Sequence, residues 1–110
     1  MRDSDVDLLQ GTLDLLILKA LALGPLHGWA IAKRIQQMSR DVLTINQGSL
    51  YPALYRLEER GLIAGEPGTS PEGRRITLYK HTAAGRKQLA KKIESWDTFA
   101  TAVRNVIRYA

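Results

Sequence analysis

Residues 46–61 read Asn-Gln-Gly-Ser-Leu-Tyr-Pro-Ala-Leu-Tyr-Arg-Leu-Glu-Glu-Arg-Gly, and this stretch predicts a helix with a defined beginning, a buried stripe and a defined end. Asn46 is a favourable N-cap, and Gly61 is a favourable residue just after the last turn. Pro52 lies close enough to the beginning to be tolerated. The leucines recur at the spacing of a helix face that packs on a core, namely at Leu50, Leu54 and Leu57.

A second helix is predicted before this one, beginning after Gly28 and running to about Ser39, and the two follow each other as in a helix-turn-helix. Its buried stripe is expected to comprise Ile31, Ile35 and Met38. In a helix-turn-helix the second helix enters the major groove of DNA, so the helix that begins after Asn46 is the predicted recognition helix.

The face of the recognition helix opposite its leucines carries amide, hydroxyl and guanidinium groups that can reach base edges or phosphates. Residues 41–45, between the two helices, are expected to form a short extended segment. The alternative is a plain three-helix bundle whose polar side chains only face water. The side chains expected to contact DNA from these two helices are Lys33, Gln47, Ser49, Tyr51, Tyr55 and Arg56.

The first predicted helix covers residues 12–23, with Thr12 as its N-cap and Asp14 in its first turn. Gly24 and Pro25 end it. The helix is apolar nearly all round, so it must be covered on more than one side. We expect a second subunit to supply one of those covers.

The chain after Gly61 predicts a β-hairpin, with strands at 62–66 and 74–80 and a turn-rich loop at 67–73. Arg74 and Arg75 are expected to contact a phosphate backbone or a minor groove. The alternative is a solvated turn with two surface arginines. Three helices followed by a hairpin predict a mainly α fold with a β-hairpin wing, that is, a winged helix-turn-helix DNA-binding domain over residues 1–81.

Residues 82–110 predict one long C-terminal helix, with Thr82 as its N-cap and Gly85 as a mild weakness near its start. Its apolar residues follow a 4-3-4-3-4 spacing, which is typical of a coiled-coil seam and predicts a dimerisation helix. The alternative is a helix that packs on its own domain. The predicted seam comprises Leu89, Ile93, Trp96, Ala100, Val103 and Ile107, and Phe99 and Val106 widen it.

Charge is segregated along the 110-residue chain, whose net charge is +5. Residues 73–93 carry seven basic side chains and no acidic one. Residues 27–40 carry three basic side chains and no acidic one. Such segregation favours a surface that faces a polyanion. Double-stranded DNA is therefore the expected partner. The alternative is a protein-interaction module that uses the winged-helix scaffold without reading DNA, and the two basic runs argue against it.

Several other classes are excluded or disfavoured. The chain has no cysteine, which excludes disulfides, thiolate catalysis and cysteine-ligated metals and fits a cytoplasmic location. No apolar run approaches the ~20 residues of a membrane span, and residues 1–10 form a polar lead-in rather than a secretory signal. His27 and His81 lack cysteine or paired carboxylate neighbours. We therefore expect no enzyme activity, no metal and no cofactor.

The motifs 9–14, 27–28, 46–54, 57–61 and 82–86 together resemble the PadR family of transcriptional regulators. The resemblance covers essentially the whole chain. The short C-terminal part is similar to the family's smaller subgroup, which has a single C-terminal helix. It implies a dimeric winged-helix repressor whose last helix pairs across the two-fold axis. Some members of that family bind flat aromatic compounds between paired tryptophans, which implies a small aromatic effector near Trp96, Phe99 and Ile93.

Two stretches of the chain depart from the family pattern. Trp29 follows His-Gly where the family usually has tyrosine, and the run at 76–82 has lost one tyrosine and carries His81 where leucine is expected. The wing is therefore expected to contact DNA differently. Because a dimer presents two recognition helices, the operator is expected to be an inverted repeat with half-sites ~34–36 Å apart.

Overall fold

The computed structural model describes residues 10–110, so the predicted polar lead-in lies outside the described residues except for Gln10. The helices and strands follow the predicted order, with one short strand added before the second helix. A 3₁₀ turn at Leu21–Leu23 continues the first helix. The elements are α1 Gln10–Ala20, β1 Leu26–His27, α2 Gly28–Met38, α3 Gln47–Glu59, β2 Ile63–Thr69, β3 Arg75–His81 and α4 Ala83–Arg108.

The wing is a three-stranded antiparallel sheet in the order β1-β3-β2 rather than an isolated two-stranded hairpin. β2 pairs with β3 along its whole length, from Ile63 opposite His81 to Thr69 opposite Arg75. Pro67 lies within β2, which tolerates it because β2 is an edge strand. The predicted loop at 67–73 is therefore wrong in its bounds, and the tip is the shorter segment 70–74.

The core lies where α1, α2, α3 and the start of α4 meet. The three leucines that define the predicted stripe of α3 are all buried, as expected. Much of α1 is covered by its own chain, but Leu15 and Leu16 are only partly buried and Leu23 just after the helix is exposed. A second subunit as a further cover therefore stays a prediction. The largest fully buried apolar side chains are Ile17, Leu18, Leu21, Ile31, Leu50, Leu54, Leu57 and Ile63.

Two of the three predicted N-caps are confirmed. The backbone N–H of Ser49 donates to Asn46 Oδ1 at 2.8 Å, and the backbone N–H of Gly85 donates to Thr82 Oγ1 at 3.0 Å. Thr12 is not the N-cap, because it lies inside α1, which already includes Gln10.

Gly85 is a close-packing residue and not the mild weakness that its helix propensity suggested. A Cβ atom at Gly85 would overlap the backbone carbonyl oxygen of Leu62. Thr82 fixes the same joint, since its hydroxyl donates to the Gly61 carbonyl at 2.7 Å and its N–H donates to the Leu62 carbonyl at 3.0 Å. The start of α4 is thereby fixed against the turn that ends α3.

The end of α2 differs from its prediction. Met38 is half exposed and lies at the rim of the core beside Leu16 and Lys19, because α2 ends there and the chain turns away. Arg40 and Asp41 adopt left-handed backbone conformations in that turn, with φ of 54° and 67°. Residues 41–45 consequently form a turn and coil instead of the expected extended segment.

None of the helices described between residues 10 and 110 combines the length and the apolar character needed to cross a membrane.

Candidate nucleic-acid interface

The outer face of α3 exposes four of the side chains predicted to contact DNA. Gln47, Ser49, Tyr51 and Tyr55 are all exposed, and Tyr55 is 64% exposed. Their exposure follows from the opposite face, whose leucines and Ala53 are buried in the core. The structure therefore brings these four polar and aromatic groups to one surface.

Arg56 occupies a different environment from those four residues. Its Nη2 lies 3.3 Å from Asp14 Oδ1, with the side chains 32% and 3% exposed respectively. Asp14 is thus a buried partner of α3, and because α1 already includes Gln10 it does not lie in the first turn as predicted. A buried carboxylate requires such a cation, because an unpaired buried charge is costly. A DNA contact by Arg56 would have to compete with this ion pair.

The base of the wing is joined to α3 and α2 by close contacts. The backbone N–H of Gly65 donates to Glu58 Oε2 at 3.2 Å, which connects β2 to the end of α3. Tyr51 lies so close to Gly28 that a Cβ there would be 2.9 Å from its hydroxyl oxygen. These contacts fix the recognition helix relative to the wing.

Tyr79 of β3 lies beside this junction and packs partly on the core. Burial raises the pKa of its hydroxyl above the ordinary value of 10.0, and Glu58 and Tyr51 add to the shift. Tyr79 therefore remains protonated, and able to donate a hydrogen bond, throughout the physiological range.

Two neighbouring grooves open on the same side as the exposed face of α3. The wing groove, of about 640 Å³, separates α3 from the sheet and is lined by His27, Tyr51, Arg75 and Tyr79 among others. The α2–α3 groove, of about 250 Å³, lies between the two helices and is lined by Trp29, Lys33, Gln36, Asn46 and Gln47 among others. Predicted DNA-contacting side chains line both grooves.

The two arginines of the wing are exposed at and beside its tip. Arg75 begins β3 opposite Thr69, and Arg74 precedes it. The backbone N–H of Arg74 donates to Ser70 Oγ at 3.0 Å, which helps to close the tip. Lys80, farther along β3, is paired with Glu66 at 2.6 Å. The guanidinium groups at 74 and 75 therefore stand at the free end of the wing.

The predicted seam of α4 divides into two parts. Leu89 is buried in the chain's own core, whereas most of the later seam residues are exposed. Trp96 is 45% exposed, and its ring centroid lies 6.1 Å from that of Phe99. The exposed apolar side chains after Leu89 are Ile93, Trp96, Phe99, Val103, Val106 and Ile107.

A third groove, of about 440 Å³, lies between α1 and α4. Trp96 and Phe99 line it, as does Leu15 of α1, whereas Ile93, expected beside them, does not. Lys91 and Lys92 also belong to its lining. Sequence reasoning found these lysines as part of a basic run but did not place them here, because the groove depends on how α1 crosses α4.

Sequence reasoning also missed a stacked aromatic pair beside the predicted DNA contacts. The rings of His27 and Trp29 lie 6.3 Å apart with an angle of 8° between their planes. The Lys33 ammonium lies 4.9 Å from the centroid of the Trp29 ring. His27 and Trp29 are separated by one residue at the start of α2, and this short spacing is the feature of the sequence that could have predicted the pair. Among residues 10–110, no three His, Cys, Asp or Glu side chains come together as a metal-binding group would.

The arrangement of α1, α2, α3 and the wing defines a winged helix-turn-helix protein. Residues 17–91 match the Transcriptional regulator PadR-like family. The structure of a transcriptional regulator from Clostridium thermocellum is similar, with a TM-score of 0.84 and 29% identity over 94% of this chain and 100% of that one. A PadR-like transcriptional regulator from Bacillus cereus gives a TM-score of 0.79 and 26% identity, over 96% of this chain and 100% of that one.

A curated relative agrees with these structures. A transcriptional regulator of Mycobacterium tuberculosis is 35% identical over 68 residues, which span 62% of this chain and 63% of that protein. The chain belongs to the PadR-like family of transcriptional regulators, and the family expected from its motifs is confirmed.

Proposed function

We propose that this protein is a homodimeric repressor that acts in the cytoplasm by binding an inverted-repeat operator and is released from it by a small aromatic ligand. It acts by binding, not by catalysis. The observation that carries the proposal is the exposed polar face of α3 beside a wing whose tip carries two exposed arginines. Residues 1–81 would form its DNA-binding part and residues 82–110 its dimerisation helix.

The case for DNA rests on which groups are exposed together. The amide, hydroxyl and phenol groups of Gln47, Ser49 and Tyr55 are all exposed on α3, and an α-helix has the size that the major groove admits. Lys33, Arg74 and Arg75 flank that face with positive charge. Phosphate contacts would hold the protein in register, and contacts from α3 to base edges would give specificity.

The case for a dimer rests on the apolar side of α4 that the chain itself leaves uncovered. Exposed apolar side chains repeat along the helix at the spacing of a two-stranded seam, from Ile93 to Ile107. A row of this kind on a soluble protein is typical of an interaction surface. A second copy of α4 would bury it around a two-fold axis.

The case for an aromatic ligand rests on the α1–α4 groove. Its volume of about 440 Å³ is that of a small-molecule site. Trp96 and Phe99 offer π surfaces for stacking, and Leu15 offers an apolar wall. A ligand there would contact both α1 and α4, so it could change how α4 sits on the domain.

A gel shift with the DNA upstream of the protein's own gene, at about 50 and about 200 mM salt, tests the proposal, because counterion release makes such binding weaken steeply with salt. Arg74→Ala should weaken binding to all sequences alike and lower the salt slope by about one phosphate contact. Arg108→Ala, at the far end of α4, is the matched control. Absence of any retarded complex would leave the winged helix as a protein-interaction module, and a single asymmetric footprint would contradict the inverted repeat.

A further inference from the structure

The stacked pair formed by His27 and Trp29, called here the ridge, stands between the two grooves of the DNA-facing side. His27 lines the wing groove and Trp29 lines the α2–α3 groove. Tyr51 and Lys33, both predicted DNA contacts, line one groove each. A partner that contacts both grooves must therefore also cover the ridge.

The ridge is both exposed and held in place. Trp29 is 55% exposed, yet its ring stacks on His27 and has the Lys33 ammonium 4.9 Å from its centroid. Stacking and the cation–π contact restrict the indole before any partner arrives. Less side-chain entropy is then lost on binding, so the pair is suited to act as a contact surface.

The polar groups around the ridge indicate the chemistry of the partner. The indole N–H and the Lys33 ammonium are donors only. The described lining of the α2–α3 groove contains amides, a hydroxyl and an ammonium but no carboxylate. Residues 27–40 contain no acidic side chain. Glu66, which lines the wing groove, is paired with Lys80. Such a surface complements a partner that is anionic and rich in acceptors, as the sugar-phosphate backbone of DNA is.

The geometry points to the ridge as a contact to the DNA backbone, with Trp29 packing on the sugar-phosphate chain and Lys33 neutralising a phosphate. This inference rests on the proposed function. It adds to that function a DNA contact by Trp29, which stands where the family usually has tyrosine. Backbone contacts carry no sequence information, so the ridge should strengthen binding to every duplex equally.

Trp29→Ala tests the inference by fluorescence anisotropy of two labelled duplexes of equal length, one from the upstream DNA and one of random sequence. We expect both affinities to fall by about fivefold, because the variant loses the apolar surface that the partly exposed indole would bury on the backbone. Met38→Ala is the matched control, because Met38 is an equally exposed apolar residue at the other end of the same helix. It should leave both affinities unchanged.

A direct readout does not depend on the stability of that variant. In a Trp96→Phe protein Trp29 is the only tryptophan, so its emission should shift, and its quenching by acrylamide should fall, when random-sequence duplex is added. Three results would each overturn this inference and leave the proposed function standing. They are equal affinities for the Trp29→Ala and Met38→Ala proteins, a loss confined to one of the two sequences, and unchanged Trp29 emission in the bound state. If the wild-type protein binds neither duplex, the proposed function falls together with it.

Discussion

α3 and α4 are both amphipathic helices, but they leave opposite faces uncovered. α3 buries its apolar stripe within the chain and exposes polar and aromatic groups, including Gln47 and Tyr55. α4 buries only its first turns, through Gly85 and Leu89, and exposes apolar side chains from Ile93 onward. The exposed face of a helix, more than its composition, therefore indicates the partner: a polar face suits DNA, and an apolar face suits another protein chain.

The difference follows from where each helix lies. α3 is central and is contacted by α1, α2 and β2, so its apolar side chains find partners in the same chain. α4 has 26 residues and is about 39 Å long, whereas the molecule is only 30 and 21 Å across in its two shorter dimensions. The second half of α4 therefore extends past the core.

The largest effect is expected where a charge is placed in the exposed part of the seam. Val103→Glu should dissociate the dimer, because each subunit would bury an unpaired carboxylate, and two copies together should cost at least about 4 kcal/mol, or roughly a thousandfold in the dimer Kd. Light scattering coupled to size exclusion measures the mass, and circular dichroism checks that the helices remain.

Thr101→Glu, an exposed position off the seam, is the matched control and should remain dimeric. An unchanged dimer mass for Val103→Glu would place the interface on another surface and would remove the contrast between the two helices.

The joint between the two helices should be the next most sensitive place. Gly85→Ala should lower the free energy of unfolding by about 3 kcal/mol, because the new Cβ must displace the Leu62 backbone. Gly11→Ala is the control, since a Cβ at this helical glycine meets nothing within 4 Å. That change should be neutral or stabilising by up to about 1 kcal/mol. Urea titration of both variants gives the comparison, and equal stabilities would mean that α4 is not rigidly joined to α3.

Local signals in the sequence predicted most of this fold, and distant contacts account for what they missed. The leucine spacing of α3 and the caps at Asn46 and Thr82 involve residues within a few positions of each other, so the pattern alone carries them. β1 was missed because two residues show no alternation. The ion pair of Arg56 and the close packing of Gly85 were missed because their partners, Asp14 and Leu62, lie far away along the chain, and only the packing of α1, α3 and α4 brings them together.

A smaller effect is expected to separate two adjacent residues of α3. Arg56→Ala should lower the free energy of unfolding by about 1–2 kcal/mol, because it leaves Asp14 buried without its cation, and the partial exposure of Arg56 limits the loss. Tyr55→Ala should leave stability nearly unchanged and weaken operator binding, since Tyr55 is exposed on the outer face. Thermal melts and gel shifts of both variants measure the two properties. The opposite pattern, with a stable Arg56→Ala protein that has lost specificity, would show that Arg56 reads a base.

The smallest effect concerns Trp96, the residue at which the exposed seam meets the α1–α4 groove. A planar phenolic compound that enters this groove should stack on the indole and quench its fluorescence, with Phe99 as the second aromatic wall. The titration uses a Trp29→Phe background, in which Trp96 is the only tryptophan. Saturating ligand should weaken operator binding by about tenfold, the size of a typical coupling between two sites, because the groove joins α4 to α1 and α1 is tied to α3 through Asp14 and Arg56.

Phe99→Ala separates a ligand site from simple interface packing. Loss of the second aromatic wall should weaken quenching of Trp96 by the ligand, while the DNA affinity without ligand stays the same. The dimer mass of the variant is measured in parallel, because Phe99 also widens the predicted seam. Because operator affinity is compared with and without ligand in the same Trp29→Phe protein, any contribution of Trp29 to DNA binding cancels. Quenching that leaves operator affinity untouched would reduce Trp96 to an interface residue. Any effector that weakens operator binding would then have to bind at another surface, because a ligand in the α1–α4 groove would not have moved the recognition helix.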